Sequence, residues 1–340
     1  MKQLTAAIIG LGTVAPMHIK SLQSINIPIV AVCDKNANVA QTTKESLKNC
    51  ESFICYNEML EHGGFDVLHI CLPHYLHAPV AIAALAKGFH VLCEKPMATT
   101  IADAENMIST ARDSGKTLGV IFQNRYSPGA ALIKEALDNG ELGAVQGGWL
   151  RVTWNRPESY YQESDWRGSW STEGGGVLIN QSIHTFDMMN YFLGNPTTVS
   201  AAIANRAHPS IEVEDVAEGV ITYGKTPISF FVNTYHPYDA PASMELICEH
   251  GRATLTGEDA EVILINGTKK TAGADIDAQR RFGMKSYWGV SHIKQITAFY
   301  NAVTMGQPPE TNGYEGLRTQ QLINGIYESA KIGKPQNLLT

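Results

Sequence analysis

The order of the first 34 residues limits what this chain can fold into more than any other feature. An apolar run, Leu4 to Ile9, leads into Gly10-Leu11-Gly12-Thr13-Val14-Ala15, a G-x-G-x-x-A turn. A helical stretch through Ile19 and Leu22 follows, then a second apolar run, Ile27 to Cys33, ending in Asp34. Gly10 and Asp34 stand 24 residues apart, the spacing expected between a phosphate-binding turn and a ribose-binding acid. Each part has a physical task. Gly10 permits the tight turn, Gly12 lets backbone approach a pyrophosphate, and Ala15 keeps helix and strand close. The helix amino end, with Thr13 and Val14, favours phosphate charge. Asp34 can accept hydrogen bonds from both adenosine ribose hydroxyls and would repel a 2′-phosphate, which argues for NAD over NADP. Lys35 beside it is either a 2′-phosphate contact or a solvated surface lysine.

The alternation continues. A short helix is expected over 57–62, a strand over 66–71, a helix over 75–87 ended by Gly88, and a strand over 89–93. A helix over 101–114 and a strand over 117–122 complete the series. Strands alternating with helices imply a doubly wound parallel sheet, with ligands beyond the carboxyl ends of its strands. Those ends carry Asp34, Leu72-Pro73-His74, Glu94-Lys95-Pro96 and Gln123-Asn124-Arg125. After Phe122 comes a helix over 130–137, then strand-like runs at 145–154, 197–204, 216–223, 228–235, 244–249, 253–256 and 261–265. These predict a largely antiparallel sheet. The division is therefore a Rossmann domain over 1–123 and a substrate-binding and oligomerisation α/β domain over 124–340, a length that suits two domains.

Composition narrows the partners. The chain has 340 residues, 44% of them apolar, and a net charge of −7, so a main role in coating nucleic acid is excluded. No run of 18 apolar residues is present, and the chain is not expected to span a membrane. Cys33, Cys71 and Cys93 each end an apolar run, and no C-x-x-C pair occurs. Buried thiols in a reducing, cytoplasmic compartment are expected. His69, His74 and His77 lack a recognisable metal-ligand spacing, so no metal is expected. His74 and His77 read instead as a helix-start cap or a contact to the cofactor ribose.

Two segments carry candidate chemistry. Lys95 follows a buried strand and precedes Pro96, which holds its predecessor extended and projects its ammonium into the nicotinamide crevice. Glu94 can hold or balance it. Further along, Gly174-Gly175-Gly176 precedes VLINQSIHTFDMMNYFLG. Read as a helix, it places Asn180, His184, Asp187 and Tyr191 on one face. His184 is the natural base. Asp187 or Asn180 can fix its tautomer, and the glycines would let a ligand approach.

These pieces together resemble the Gfo/Idh/MocA oxidoreductases, the family of glucose–fructose oxidoreductase and inositol dehydrogenase. The matching segments are GLGTVA (10–15), CLPHYLHAPVAIAAL (71–85), CEKPMA (93–98), QNRYSP (123–128) and GGGVLINQSIHTFDMMNYFLG (174–194). The resemblance implies a nucleotide domain followed by an open-faced α/β domain. It also implies hydride transfer between NAD(P) and a secondary alcohol of a sugar, cyclitol or sugar derivative. The family's catalytic lysine maps onto Lys95 and its histidine onto His184. Many members carry aspartate where Asn180 stands, and an amide cannot take a proton, so Asn180 can only orient. The family's CTPN reads CLPH here, with His74 in place of asparagine. Arg125, Tyr161, Trp166 and Arg167 are candidate substrate contacts, and Trp288 and His292 candidate neighbours. A homodimer or homotetramer is implied. The rival readings are a glycosidase using bound NAD for transient oxidation, and a non-catalytic sugar or nucleotide sensor.

Overall fold

The structure is a computed structural model that describes residues 3–274 and 291–338. The chain divides into two compact units, Met1–Phe122 with His292–Leu317, and Gln123–Ser291 with Arg318–Thr340.

The first unit alternates β1 (Ala6–Ile9), α1 (Ala15–Ser24), β2 (Ile29–Cys33), α2 (Ala37–Ser46), β3 (Glu51–Phe53) and α3 (Tyr56–His62). It continues with β4 (Val67–Ile70), α4 (His74–Ala86), β5 (His90–Cys93), α5 (Ile101–Ser114) and β6 (Leu118–Val120). The sheet is parallel throughout, in the order β3-β2-β1-β4-β5-β6. Every residue of β1 and of β4 is buried, because helices cover both faces of such a sheet. Strand order reverses between β1 and β4, which opens the crevice where a doubly wound sheet takes its ligand. The sequence reading missed α2 and β3. Only Ala40 of α2 is buried and no residue of β3 is, so neither carries a hydrophobic period.

The second unit contains α6 (Pro128–Asp138), β7 (Val145–Thr153), α7 (Glu158–Gln162), α8 (Ile183–Leu193), β8 (Thr198–Ala204), β9 (Val216–Tyr223) and β10 (Thr226–Asn233). Then come β11 (Ser243–Cys248), β12 (Gly251–Thr256), β13 (Asp259–Leu264) and β14 (Lys269–Ala272). Later in the chain are two long helices, α9 (Ser291–Met305) and α10 (Gly313–Ile332), and a short β15 (Gln336–Asn337). The nine-stranded sheet runs β14-β13-β12-β11-β7-β10-β9-β8-β15. Only the β7–β10 pair is parallel. On β10, Ile228, Phe230 and Val232 are buried and Ser229 and Phe231 exposed, so one face packs inward and the other is open. Phe230 meets Phe186 of α8 edge-on, ring centres 5.3 Å apart.

The chain does not stay in the second unit to its end, as a division at 123/124 implies. α9 returns to the first, where Ile296, Phe299 and Tyr300 join the core around Ile8, Leu92 and Ile121. A Cβ on Gly119 of β6 would lie 2.7 Å from the Phe299 ring, so glycine is what lets α9 close on the sheet. The buried Gln295 carboxamide accepts from the Phe122 N–H (3.1 Å) and donates to the Val120 carbonyl (2.7 Å), completing the end of β6.

Candidate functional site

In the first unit the glycine turn is closed from two sides. Gly10 has φ +81°, and a Cβ there would sit 2.5 Å from the Cys71 carbonyl at the end of β4. Gly12 is the opposite case, since a Cβ would meet nothing within 4 Å. Thr13 is exposed and Val14 half-buried at the head of α1. That helix has no side-chain cap and no acidic residue in its first turn. A backbone open at Gly12 below an uncapped helix head fits a dinucleotide pyrophosphate. At the end of β2, Asp34 Oδ2 accepts the Leu11 N–H and Oδ1 the Asn36 N–H, both at 2.8 Å. Lys35 beside it is exposed.

The loops after β4 and β5 hold the next residues. Leu72 and Pro73 are half-buried, and His74 opens α4. His77, expected on a cofactor ribose, is instead fully buried. Its Nδ1 lies 2.7 Å from the Pro96 carbonyl and its Nε2 2.7 Å from the Leu72 carbonyl. Burial pushes this ring's pKa down against the pull of both carbonyls. His77 therefore clamps the two loops together rather than meeting a ligand. Lys95 is half-buried at the carboxyl end of β5, and its peptide bond to Pro96 is cis.

Glu94 also departs from the expected cofactor contact, because its side chain turns into the unit. Oε2 accepts the Lys95 N–H at 3.2 Å, and Oε1 lies 3.1 Å from His18 Nε2 and 3.8 Å from His292 Nε2. His18 Nδ1 is 2.8 Å from His69 Nδ1, and His69 Nε2 is 3.0 Å from the Tyr300 hydroxyl. Glu94, the three histidines and Tyr300 are all buried. Burial works against the Glu94 charge, yet the hydrogen bond from His18 and the nearby His292 ring outweigh it and hold the carboxyl well below its usual range. Burial also drives His69 well below the ordinary imidazole value. A neutral relay satisfies the linear part of the network. Tyr300 donates to His69 Nε2, His69 Nδ1–H to His18 Nδ1, and His18 Nε2–H to Glu94. His292 thus belongs to the buried floor under Lys95, and Trp288 lies outside the described residues.

The second unit holds the other predicted residues. Gln123 and Arg125 lie in a buried 3₁₀ turn, Gln123–Tyr126. Arg125 does not read as a substrate contact. Its guanidinium grips Asp187 of α8 through Nε–Oδ2 (2.8 Å) and Nη2–Oδ1 (2.6 Å) and lies over the Tyr191 ring. Thr319 adds a hydrogen bond to Asp187 Oδ1 (3.0 Å). Asp187 is thereby a packing anchor of α8.

The helix expected from residue 177 begins at Ile183. Residues 177–182 form turns, held by the buried Glu214 carboxylate. It accepts from Gly176 N–H (2.9 Å), Leu178 N–H (3.0 Å) and the Tyr327 hydroxyl (2.9 Å). Burial raises the Glu214 pKa to about 7. Gly175 and Gly176 serve this packing. A Cβ on Gly175 (φ +145°) would strike the Tyr327 hydroxyl, and one on Gly176 the Glu214 carbonyl. Asn180 therefore stands in a turn ahead of α8, while His184 is the second residue of α8 and half-buried.

Asn180 is met by residues that the sequence reading missed. Its Nδ2 donates to Glu173 Oε1 at 2.6 Å and lies 3.4 Å from the Tyr160 hydroxyl. Glu173 is fully buried, and its Oε2 accepts the Gly168 N–H at 2.6 Å. Arg167, a predicted contact, stacks over Tyr160 at 4.2 Å and over Trp166 at 4.9 Å. Tyr161 corrects its expectation by one residue. It is buried against Ile211 and Val213, hydrogen-bonded to Thr234 (3.3 Å), and burial pushes its pKa up. Its half-buried neighbour Tyr160 takes the place beside Asn180.

Comparison with known proteins agrees with this architecture. Residues 4–122 match the profile of the oxidoreductase family, NAD-binding Rossmann fold, and residues 130–254 that of the GFO/IDH/MocA C-terminal domain. A D-glucoside 3-dehydrogenase of Escherichia coli is 35% identical over 356 residues, covering 97% of this chain and 96% of the relative. An inositol 2-dehydrogenase of Salmonella typhimurium is 26% identical over 353 residues, 98% of this chain and 96% of the relative. The WlbA dehydrogenase from Bordetella pertussis, solved in complex with NADH and UDP-GlcNAcA, superposes with a TM-score of 0.86 at 27% identity over the full length of both chains. The chain belongs to the GFO/IDH/MocA family of NAD-binding oxidoreductases.

Proposed function

We propose that this protein oxidises a secondary alcohol of a sugar, cyclitol or sugar derivative with NAD. The carrying observation is the Glu94-Lys95-Pro96 loop. It pins the lysine backbone at the carboxyl end of β5 in a dinucleotide-binding unit, over a floor built to keep Glu94 ionised. Bound NAD supplies the hydride acceptor. His184 takes the hydroxyl proton, and the Lys95 ammonium steadies the developing alkoxide. Asn180 orients the substrate, with Arg167, Trp166 and Tyr160 beside it. The Asp34 carboxylate favours NAD over NADP. The glucoside 3-dehydrogenase relative makes a glucoside the first substrate to test. The open sheet face, with Val220, Phe231 and Ile247 exposed, suits pairing into a homodimer or homotetramer. Six free thiols and the absence, among the described residues, of a helix long and apolar enough to cross a membrane accord with a cytoplasmic location.

The test is a panel of methyl glucosides, free sugars, sugar acids and myo-inositol with NAD or NADP, followed by nicotinamide absorbance. Reduction of NAD by at least one polyol is expected. Glycoside cleavage without net NADH, or nucleotide binding with no hydride transfer, would replace this reading by one of its rivals. Lys95→Ala is expected to lower kcat by about 1,000-fold while the NADH dissociation constant changes less than about threefold. Turnover within about tenfold of the parent would remove Lys95 from the mechanism.

A further inference from the structure

We propose that Glu173 is a positioning residue that makes position 180 an amide and fixes which way that amide points. Glu173 is fully buried and both its oxygens are engaged, Oε2 by the Gly168 N–H (2.6 Å) and Oε1 by Asn180 Nδ2 (2.6 Å). A carboxylate only accepts, so the Asn180 donor must face it. The carbonyl oxygen, on the other branch of the amide, is thereby turned away from Glu173 as an acceptor. Resting on the polyol-oxidation reading, this acceptor receives a hydrogen bond from a substrate hydroxyl. It cannot remove the proton, which falls to His184.

The same contact accounts for an amide, and not a carboxylate, at this position. An aspartate of the same shape would put a carboxylate oxygen where Nδ2 now stands, 2.6 Å from Glu173 Oε1. Two carboxylates so close cannot both be ionised, and they would hold one proton between them. Around the pair, Tyr160 and Tyr161 on α7, Tyr327 on α10 and Glu214 are neutral or acidic, and the cations of Arg156 and Arg167 lie over the Tyr160 ring. Asparagine removes the repulsion and supplies a donor at once.

The test compares Asn180→Asp, Glu173→Gln and the double variant with the parent, by thermal unfolding from pH 4.5 to 8.5 and by initial rates of NAD reduction. In Asn180→Asp the shared carboxyl has a raised pKa when folded. Its cost is absent below the unfolded value near 4 and grows as the pH rises. The Tm gap to the parent is expected to widen by about 5 °C between pH 5 and pH 8. Glu173→Gln supplies a donor to the carboxylate introduced at position 180, so the double variant is expected to regain the parental slope of Tm against pH. Its kcat/KM should exceed that of Asn180→Asp by about tenfold. Asn180→Asp replaces the amide by a group of equal size and reports on the contact even where Glu173→Gln does not fold. A parental Tm slope in Asn180→Asp, or an unrepaired slope in a folded double variant, overturns the proposal. If the parent reduces NAD with no polyol, the reaction reading and the substrate role of Asn180 fall together. The melts then still decide the Glu173–Asn180 contact by itself.

Discussion

Asp34 holds the glycine turn through its own carboxylate, with one oxygen on Leu11 and the other on Asn36. Its removal acts twice, loosening the turn and deleting an acceptor for the ribose. Asp34→Ala is expected to weaken NADH binding by about 10- to 100-fold, a loss of one to two hydrogen bonds to a charged group. Fluorescence titration measures it, and an unchanged dissociation constant would deny Asp34 a part in binding. At this scale the sequence was informative wherever a residue's role is set by its own chain neighbours. Gly10, whose positive φ the turn itself demands, falls into that group. It was blind where the role comes from a distant partner. Nothing near Tyr160 and Tyr161 in sequence says that the second is buried against Ile211 while the first meets Asn180. Glu173 adjoins the glycine run, and a buried acid there gives no signal until Gly168 and Asn180 close on it.

Between elements, the relay from α9 through β4 and α1 to β5 ties four segments to one carboxylate. His18→Leu deletes the donor to Glu94 and leaves a buried charge under-satisfied, a cost of about 3 kcal/mol. The sign of its pH dependence follows from the depressed Glu94 pKa. The stabilisation is complete above the unfolded carboxyl value, near 4.3, and is lost as pH falls through the folded one. The gap between parent and His18→Leu in urea unfolding should be widest at pH 6–8 and shrink only as the pH falls below about 4, towards the folded Glu94 value. His18→Gln, which keeps a donor, should recover part of it. A gap that is constant with pH would mean that His18 acts through packing alone. None of this relay was legible beforehand. His18 and His69 sit inside apolar patterns, and only folding sets their nitrogens 2.8 Å apart. Elements with strong periods, such as α5 and β9, matched their expected bounds to the residue. The helix through 177–193 was misread because the Ser182 N–H (2.9 Å) and hydroxyl (2.7 Å) both turn back to the Val177 carbonyl, which a continuous helix would give to the Gln181 N–H.

On the scale of the molecule, the chain leaves the first unit at Phe122 and comes back at His292. The sequence pattern of 1–123 looks self-sufficient, with strands and helices alternating in Rossmann order, and so it places a boundary at 123. The core says otherwise. Ile296, Phe299 and Tyr300 are each at most 4% exposed within it, and Gln295 satisfies the last backbone groups of β6. Three side chains of that size contribute about 6 kcal/mol by burial, comparable with the whole stability of an ordinary domain. Residues 1–123 expressed alone are therefore expected to lack a cooperative urea transition and to bind NADH poorly. Fusing residues 292–317 to residue 122 through a flexible linker should restore both, because the fusion returns the Phe299 ring to Gly119 and the Gln295 amide to Phe122. Cooperative unfolding of 1–123 by itself, with NADH affinity equal to that of the full chain, would show that α9 is packed on the nucleotide unit without being part of its fold.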